Sequence, residues 1–308
     1  MTNKEDSNPL HCCAIFNAPA RLIKFLMTFP SSRRAVCMVN NTGSTPLHLA
    51  AAHPSVAQSV ATIVALGTPE GAAVEDRVKG TALHIATQNM SATGSLIDAL
   101  LSLNPEATSI PTQRGHLPLH LAAQSPCACS ESVVAKLLAH DPESAQVRNK
   151  SSNTPLHDAA KYRASVQVVK LIIDAYPDAL YLQNQYGNLP LHCATAYQAP
   201  SDVVQLLLER WPEGASVQNC NQDAPLHYAA SNDSSLEIIQ AIVKAAPESV
   251  LLLNSIGQSP MERAQANNAP SDVVEFLEEA TEEWGKKAAT EGWGVFDDTI
   301  PNDTAAEF

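Results

Sequence analysis

Histidine is the residue type here with the clearest chemical potential, because imidazole can act as a metal ligand or as a general acid or base. Successive members of one histidine series lie 35 to 37 residues apart. Zinc needs four ligands at about 2.0–2.3 Å, whereas stacked helices lie about 8–10 Å apart. One histidine per helical layer cannot build such a site, so we predict no metal. The series comprises His11, His48, His84, His120, His157, His192 and His227.

Other chemical patterns are weak. Cys127 and Cys129 form a single pair, whereas a zinc site would use a second pair at a defined spacing. The sequence has no glycine-rich phosphate loop and no G-x-S-x-G string. We therefore predict no enzymatic activity, no cofactor and no small-molecule substrate.

The overall composition narrows the class of partner and the compartment. The net charge of −13 argues against nucleic acid, whose phosphates demand a basic surface. The sequence contains no run of about 18 apolar residues, so no membrane span is predicted. Seven irregularly placed cysteines and a polar N-terminus predict a reducing compartment, the cytoplasm or alternatively the nucleus.

The histidines belong to a heptapeptide that recurs through the chain, as in TPLHLAA from Thr45 and TPLHDAA from Thr154. Its second position falls at residues 9, 46, 82, 118, 155, 190, 225 and 260. A second series of prolines follows apolar stretches in the same phase, at Pro30, Pro69, Pro105, Pro142, Pro177, Pro212 and Pro247. The two series predict a repeating unit.

Each unit is predicted to be a pair of helices. A threonine such as Thr154 can cap the first helix, and Pro155 suits its first position. A short polar link precedes a second helix with a 3.6-residue apolar period, which a proline such as Pro212 ends. A polar turn leads to the next unit. Because one pair cannot bury its apolar face alone, the units must stack.

The T-P-L-H-x-A-A heptapeptide, the helix pair and a glycine two residues before threonine, as at Gly43, together resemble the ankyrin repeat. The resemblance covers about residues 8 to 280. It implies an all-α solenoid of helix-turn-helix repeats with short hairpin-like turns between them. The units are 35 to 37 residues long instead of 33, and we expect the additional residues to lengthen the link between the two helices. The resemblance also implies that each histidine bonds backbone or the neighbouring threonine hydroxyl.

The resemblance further implies a protein partner, bound by the turn tips and the ends of the first helices along a concave groove. We predict a monomeric interaction module acting as an adaptor, scaffold or inhibitor. The alternative is a recognition or regulatory fragment of a larger enzyme or channel chain. The predicted partner-binding residues are Arg114, Gln124, Lys161, Tyr162, Arg163, Tyr186, Asn188, Tyr197, Asp223 and Asn232.

The positions of the tyrosines indicate which repeats form the centre of the binding surface. All six lie between Tyr162 and Tyr228, and tyrosine and arginine are common interface anchors. Tyr162, Tyr186 and Tyr197 fall on partner-facing positions, which predicts a binding centre in repeats five and six. The alternative is that the rings fill gaps between repeats, which we prefer for Tyr176 and Tyr181.

We predict a repeat array over residues 1–285, with about eight repeats, a truncated first repeat and a polar last repeat that acts as a cap. Residues 286–308 are predicted to be an acidic, disordered tail. From Asp272 onward there are eleven acidic and two basic residues, so this region carries −9 of the charge. The tail is a solubilising sequence, a partner motif or a flap over basic turn tips. The apolar N-terminal edge is covered by residues 1–7, paired with another chain or preceded by a missing segment.

Overall fold

The computed structural model describes residues 6–52, 56–78, 80–89, 93–125, 129–232 and 234–291. Within these residues the regular structure is helical throughout, and they include no strand. The all-α prediction is therefore confirmed. Cys127 lies outside the described residues, as does the acidic segment from residue 292 onward.

Eight short helices begin at or next to the proline of the heptapeptide, as the repeat predicts, and we call them the first helices. The fixed φ of proline and its missing N–H suit this position. Only α7 begins with alanine instead. The first helices are α1 (Pro9–Ile15), α4 (Pro46–Ala52), α7 (Ala82–Gln88), α9 (Pro118–Ala123), α11 (Pro155–Lys161), α13 (Pro190–Ala196), α15 (Pro225–Ser231) and α17 (Pro260–Ala266).

A second, longer helix follows each first helix, and its apolar residues recur with the helical period. They are α2 (Ala20–Met27), α5 (Val56–Leu66), α8 (Gly94–Leu103), α10 (Cys129–His140), α12 (Val166–Ala175), α14 (Ser201–Arg210), α16 (Leu236–Ala245) and α18 (Ser271–Glu291). Two further short helices are α3 (Ser32–Ala35) and α6 (Pro69–Ala72).

The two kinds of helix form two stacked rows. The first helices α9, α11, α13, α15 and α17 contact one another in order, and so do the second helices α8, α10, α12, α14 and α16. Ala159 and Ala160 of α11 are fully buried, since alanine allows the first helices to approach closely. Val168 and Ile172 of α12 are equally buried against both neighbours. The core therefore runs along the whole stack.

The second proline series does more than end a helix. Helix α12 ends at Ala175, and Pro177 opens a turn of 3-10 helix over Pro177–Leu180. The same arrangement occurs at Pro105–Thr108, Pro142–Gln146, Pro212–Ala215 and Pro247–Leu251. We expected the additional residues of each repeat to lengthen the link between the helices. That link is only four residues at 162–165 and at 197–200, whereas the 3-10 turn lengthens the connection after the second helix.

The last helix differs from the predicted domain boundary. Helix α18 continues to Glu291, so the predicted end of the array at residue 285 falls inside it and residues 286–291 are helical. At the other end of the stack, Phe16 is 80% exposed and Phe25 is 60% exposed. Phe25 packs edge-to-face on Phe29, with ring centroids 5.5 Å apart.

Candidate functional site

The seven histidines join each repeat to the next. In each, Nδ1 accepts a hydrogen bond from the backbone N–H three residues earlier, at 3.0–3.3 Å. The Nε2–H donates to a backbone carbonyl 31 to 33 residues later, at 2.9–3.3 Å. His192, for example, bonds the Leu189 N–H and the Asp223 carbonyl. Both ring nitrogens are therefore engaged within the stack.

This geometry fixes the protonation state of the rings. A nitrogen that accepts an N–H bond carries no proton, so the proton lies on Nε2 and the ring is neutral. Burial favours the same form, because it lowers the pKa of His84, His157 and His192 to about 4 and that of His120 to about 3. Where threonine precedes the helix, its hydroxyl also bonds Nδ1, at 2.7 Å between Thr45 and His48. The histidines have a structural role, as the resemblance implies.

The last repeat shows that the hydrogen bond within a repeat can be formed without histidine. Its heptapeptide has Glu262 where the others have histidine. Glu262 accepts from the Ser259 N–H through Oε2 at 2.8 Å, and its own N–H donates to the Ser259 hydroxyl at 3.2 Å. Glutamate thus closes a capping box within the repeat. A carboxylate has no proton to donate to a following repeat.

The turns between repeats form a continuous strip. In each turn an Asn, Asp or Thr oxygen accepts from the backbone N–H four residues on, as Asn184 does from Asn188 at 3.1 Å. From the turn at Asp76 to the turn at Asn254, neighbouring turns are joined by one backbone hydrogen bond each, such as Lys150 N–H to the Arg114 carbonyl at 3.1 Å and Cys220 N–H to the Tyr186 carbonyl at 3.1 Å. We call the two residues after each Asn, Asp or Thr the turn tip. Side chains at the tips are thereby held in a row.

Three of the predicted residues meet on the ends of two first helices. Lys161 is the last residue of α11, and its Nζ lies 5.4 Å from the Tyr162 ring centroid and 5.1 Å from that of Tyr197 in the next repeat. Tyr162 is 42% exposed and Tyr197 is 49% exposed. We call Lys161, Tyr162 and Tyr197 the aromatic cluster. A cation–π contact at an exposed site contributes about 0.5–1 kcal/mol, so the ammonium favours this arrangement of the two rings.

Other predicted residues are exposed beside this cluster or on the tips. Tyr186 is a tip residue and is 60% exposed. Arg114 is an exposed tip residue two repeats before it. Arg163 follows Tyr162 and is exposed at a φ of 61°, in the left-handed region. Their backbones are fixed by the repeat while their side chains face solvent.

Gln124 and Asn232 are half-buried and bridge repeats. Gln124 Nε2 donates to Asp158 Oδ2 at 3.3 Å, and Asn232 Nδ2 donates to the Ala196 carbonyl at 3.1 Å. They therefore lie at the edge of the predicted surface and also help to join neighbouring first helices.

Two predicted binding residues are engaged inside the stack. Asp223 is only 4% exposed and forms an ion pair with Arg263 at 2.9 Å. Asn188 accepts from Asn219 Nδ2 at 2.7 Å through its side-chain oxygen, and its backbone carbonyl accepts from His157 Nε2 at 3.0 Å. Because these bonds use the polar groups that a partner would need, we remove both residues from the candidate surface.

The sequence prediction missed Asp158, a carboxylate buried among these residues. It is 2% exposed, and Asn153 Nδ2 and His116 Nε2 lie 3.5 and 4.0 Å from its two oxygens. Burial raises the pKa of Asp158 to about 6, although Gln124, Lys161 and Asn153 each act to lower it. The clue was its position, since the other repeats place a different residue type at the same point, such as Leu121 or Cys193.

Tyr176 and Tyr181 pack against other side chains of the stack, which is the alternative that we preferred for these two rings. Tyr176 is partly buried and packs against the core. Tyr181 packs edge-to-face on Trp211 of the next repeat, with ring centroids 4.8 Å apart.

Among the described residues, no helix is long and apolar enough to cross a bilayer.

Comparisons with known proteins agree with this architecture. A family model described as ankyrin repeats (3 copies) matches residues 127–218. The crystal structure of the ankyrin repeat domain of Bcl-3, a unique member of the IkappaB protein family, is similar in fold, with a TM-score of 0.57. The likeness covers 78% of this chain and 99% of that chain at 24% identity. No curated protein matches the sequence.

Proposed function

We propose that this chain, in which residues 127–218 match ankyrin repeats, binds another protein, and that the aromatic cluster and the tip residue Tyr186 form the centre of the interface. Ankyrin repeats generally mediate protein–protein interactions. The chain would act as an adaptor, scaffold or inhibitor without catalysis of its own. We propose further that it is a monomer of the cytoplasm, in keeping with the free thiols of Cys13, Cys37 and Cys220.

The observation that carries this proposal is the aromatic cluster itself. Two tyrosines that are 42% and 49% exposed flank one lysine across a repeat boundary. Rings that lose little side-chain entropy on binding are favoured interface anchors. The buried carboxylate of Asp158 lies three residues before Lys161 on the same helix. The contacts of Lys161 with both rings favour this arrangement before a partner binds.

The test is an affinity pull-down from the native source that compares the natural chain with the variant Tyr162→Ala, Tyr186→Ala, Tyr197→Ala, Arg163→Ala. All four residues are exposed, so we expect the variant to fold. Proteins captured by the natural chain and lost from the variant, identified by mass spectrometry, would support the proposal.

The matched control removes rings from elsewhere on the stack. Tyr181→Ala with Phe25→Ala deletes two side chains that are 49% and 60% exposed and lie outside the proposed centre. This control should retain the partners. If the four-residue variant kept every partner and the control lost them, the binding centre would lie elsewhere.

A further inference from the structure

The charges of this protein are unevenly distributed. The net charge is −13, yet six cationic side chains lie in or beside the described turns of the central repeats and at the end of α11. Five of the six are exposed and Lys161 is half-buried. The set is Arg77, Arg114, Arg148, Lys150, Lys161 and Arg163. We call these six residues the basic strip.

Within three residues of the basic strip the only acidic side chains are Glu75, Asp76 and Asp158. Asp76 uses Oδ1 to accept from the Val78 and Gly80 N–H groups at 2.9 and 2.8 Å, and Asp158 is buried. Among the described residues, none of the ion pairs involves a cation of the basic strip. Acids collect elsewhere, including the first turn of each 3-10 helix, at Glu106, Glu143, Asp178, Glu213 and Glu248.

The cations recur along the stack. Three successive tips carry one each, at the first tip position for Arg77 and Lys150 and at the second for Arg114, and the next tip carries Tyr186. Adjacent tips are joined by backbone hydrogen bonds of 2.8 to 3.2 Å. Two hydrogen-bonded chains per turn give a spacing of about 10 Å between tips. A peptide in the extended polyproline II conformation has three residues per turn and advances about 3.1 Å per residue, so every third side chain faces the same way and would meet the next tip.

The basic strip and the aromatic cluster adjoin each other. Lys161 belongs to both sets, and Arg163 directly follows Tyr162. A ligand seated on the tips would therefore reach the cluster.

We propose that the basic strip binds an extended acidic segment of a partner protein, with a carboxylate at about every third residue and an apolar portion on Tyr186 and the aromatic cluster. This inference rests on the proposed function and names the chemistry of its partner. A protein segment is favoured over nucleic acid because the chain as a whole is strongly anionic and would repel a long polyanion.

The test selects binders from a phage library of random peptides of about 12 residues, a length that spans the three basic tips. A fluorescent copy of the enriched peptide is then titrated with three proteins at low salt. These are the natural chain, a tip variant (Arg114→Gln, Lys150→Gln, Arg163→Gln) and a control (Lys170→Gln, Arg210→Gln, Lys244→Gln). Both variants lose three positive charges, and the control changes only second helices α12, α14 and α16.

Two of the three substitutions in the tip variant use residues that the chain already places at equivalent positions. Gln113 and Gln185 occupy the position of Lys150 in neighbouring turns, and Gln198 adopts a φ of 54° where Arg163 has 61°. Retention of the natural helical spectrum would show that the variant is folded.

We expect enriched peptides rich in Asp and Glu, and about tenfold weaker binding by the tip variant, since each exposed ion pair contributes modestly. The control should bind within about twofold of the natural chain. Peptides without acidic enrichment, no enriched peptide at all, or equal weakening by both variants would overturn the inference. So would tighter binding of a single-stranded RNA 20-mer than of the peptide. Binding lost with Tyr162→Ala and Tyr197→Ala but kept by the tip variant would overturn it while leaving the proposed function intact.

Discussion

At the scale of single residues, each heptapeptide histidine forms one hydrogen bond within its own repeat and one with the following repeat. Its Nδ1 satisfies a free N–H at the start of its own helix, and its Nε2–H satisfies a carbonyl of the following repeat. Both partners are backbone groups at a buried junction. An unpaired buried polar group costs about 1–3 kcal/mol, so loss of one ring affects two repeats.

We therefore predict that His192→Ala lowers the free energy of unfolding by about 1–3 kcal/mol, because it leaves the Leu189 N–H unpaired and removes one of the two hydrogen bonds to the Asp223 carbonyl. Guanidinium unfolding followed by circular dichroism measures this. His140→Ala, at an exposed helix end, is the control and should change stability by less than about 0.5 kcal/mol. Equal effects of the two substitutions would contradict the structural role.

The same rings predict an acid-sensitive fold. The pKa of His84, His157 and His192 is about 4 in the folded chain, below the ordinary value of 6.5. Between these values the unfolded chain binds more protons, so stability is full above pH 6.5 and falls as the pH drops towards 4. The slope is up to about 1.4 kcal/mol per pH unit for each histidine.

Asp158 acts in the opposite sense. Its pKa is about 6 in the folded chain against 3.8 ordinarily, so it favours folding as the pH falls through that window. The histidines outnumber it, and we expect a net loss of stability in urea unfolding measured from pH 7 to pH 5. A flat or rising profile would contradict the neutral, buried state of the rings.

At the scale of elements, the turn imposes a left-handed backbone at one position. Gly43, Gly115, Gly187 and Gly257 occupy it with φ between 73° and 80°, and Ser152 and Gln222 occupy it with φ of 58° and 57°. A side chain in this region costs about 1–2 kcal/mol. At Gly187 a Cβ would also lie 2.6 Å from the Cys220 backbone nitrogen, within the bond that joins two tips.

We predict that Gly187→Ala lowers the free energy of unfolding by at least about 1–2 kcal/mol. The converse change, Gln222→Gly, should leave stability unchanged or raise it by up to about 1 kcal/mol. It removes the strain of a side chain at positive φ but increases the conformational entropy of the unfolded chain. Thermal unfolding of both variants tests the pair. Stabilisation by Gly187→Ala would contradict the left-handed backbone conformation at this position of the turn.

The sequence predicted most of the elements but fewer of their contacts. The period located both helices of each repeat, because proline and apolar spacing act locally. The bonds of Asn188 and Asp223 join residues 31 apart and depend on how repeats stack, so a single repeat could not reveal them. Asp158 was missed for a related reason, since its partner Gln124 lies 34 residues away in the preceding repeat. The 3-10 turn after Pro177 was mistaken for a simple helix stop.

At the scale of the whole molecule, stability is distributed along a line. Each repeat contacts its neighbours, as α13 contacts α11 and α15, so inner repeats have two stabilising interfaces. The first helix pair instead exposes Phe16 and Phe25. Charge is distributed as well, with a basic strip on the central turns and an acidic helix α18 at one end.

We predict that backbone hydrogen exchange is slowest in α11 and α13 and fastest in α2 and α18, because fraying begins where a repeat has one neighbour. Hydrogen exchange followed by mass spectrometry of peptic fragments gives the order. Uniform protection along the chain would indicate a single cooperative unit instead of a linear stack.

The most direct test of the binding claim is site-specific photo-crosslinking with benzoylphenylalanine. The probe replaces Tyr186 or Tyr197 in the proposed centre, and Tyr181, similarly exposed but packed on Trp211, serves as the control. In the native extract we predict the same protein adduct from positions 186 and 197 and none from 181. Adducts from position 181 alone, or none from 186 and 197, would contradict the proposal that the aromatic cluster and the neighbouring tip form the interface.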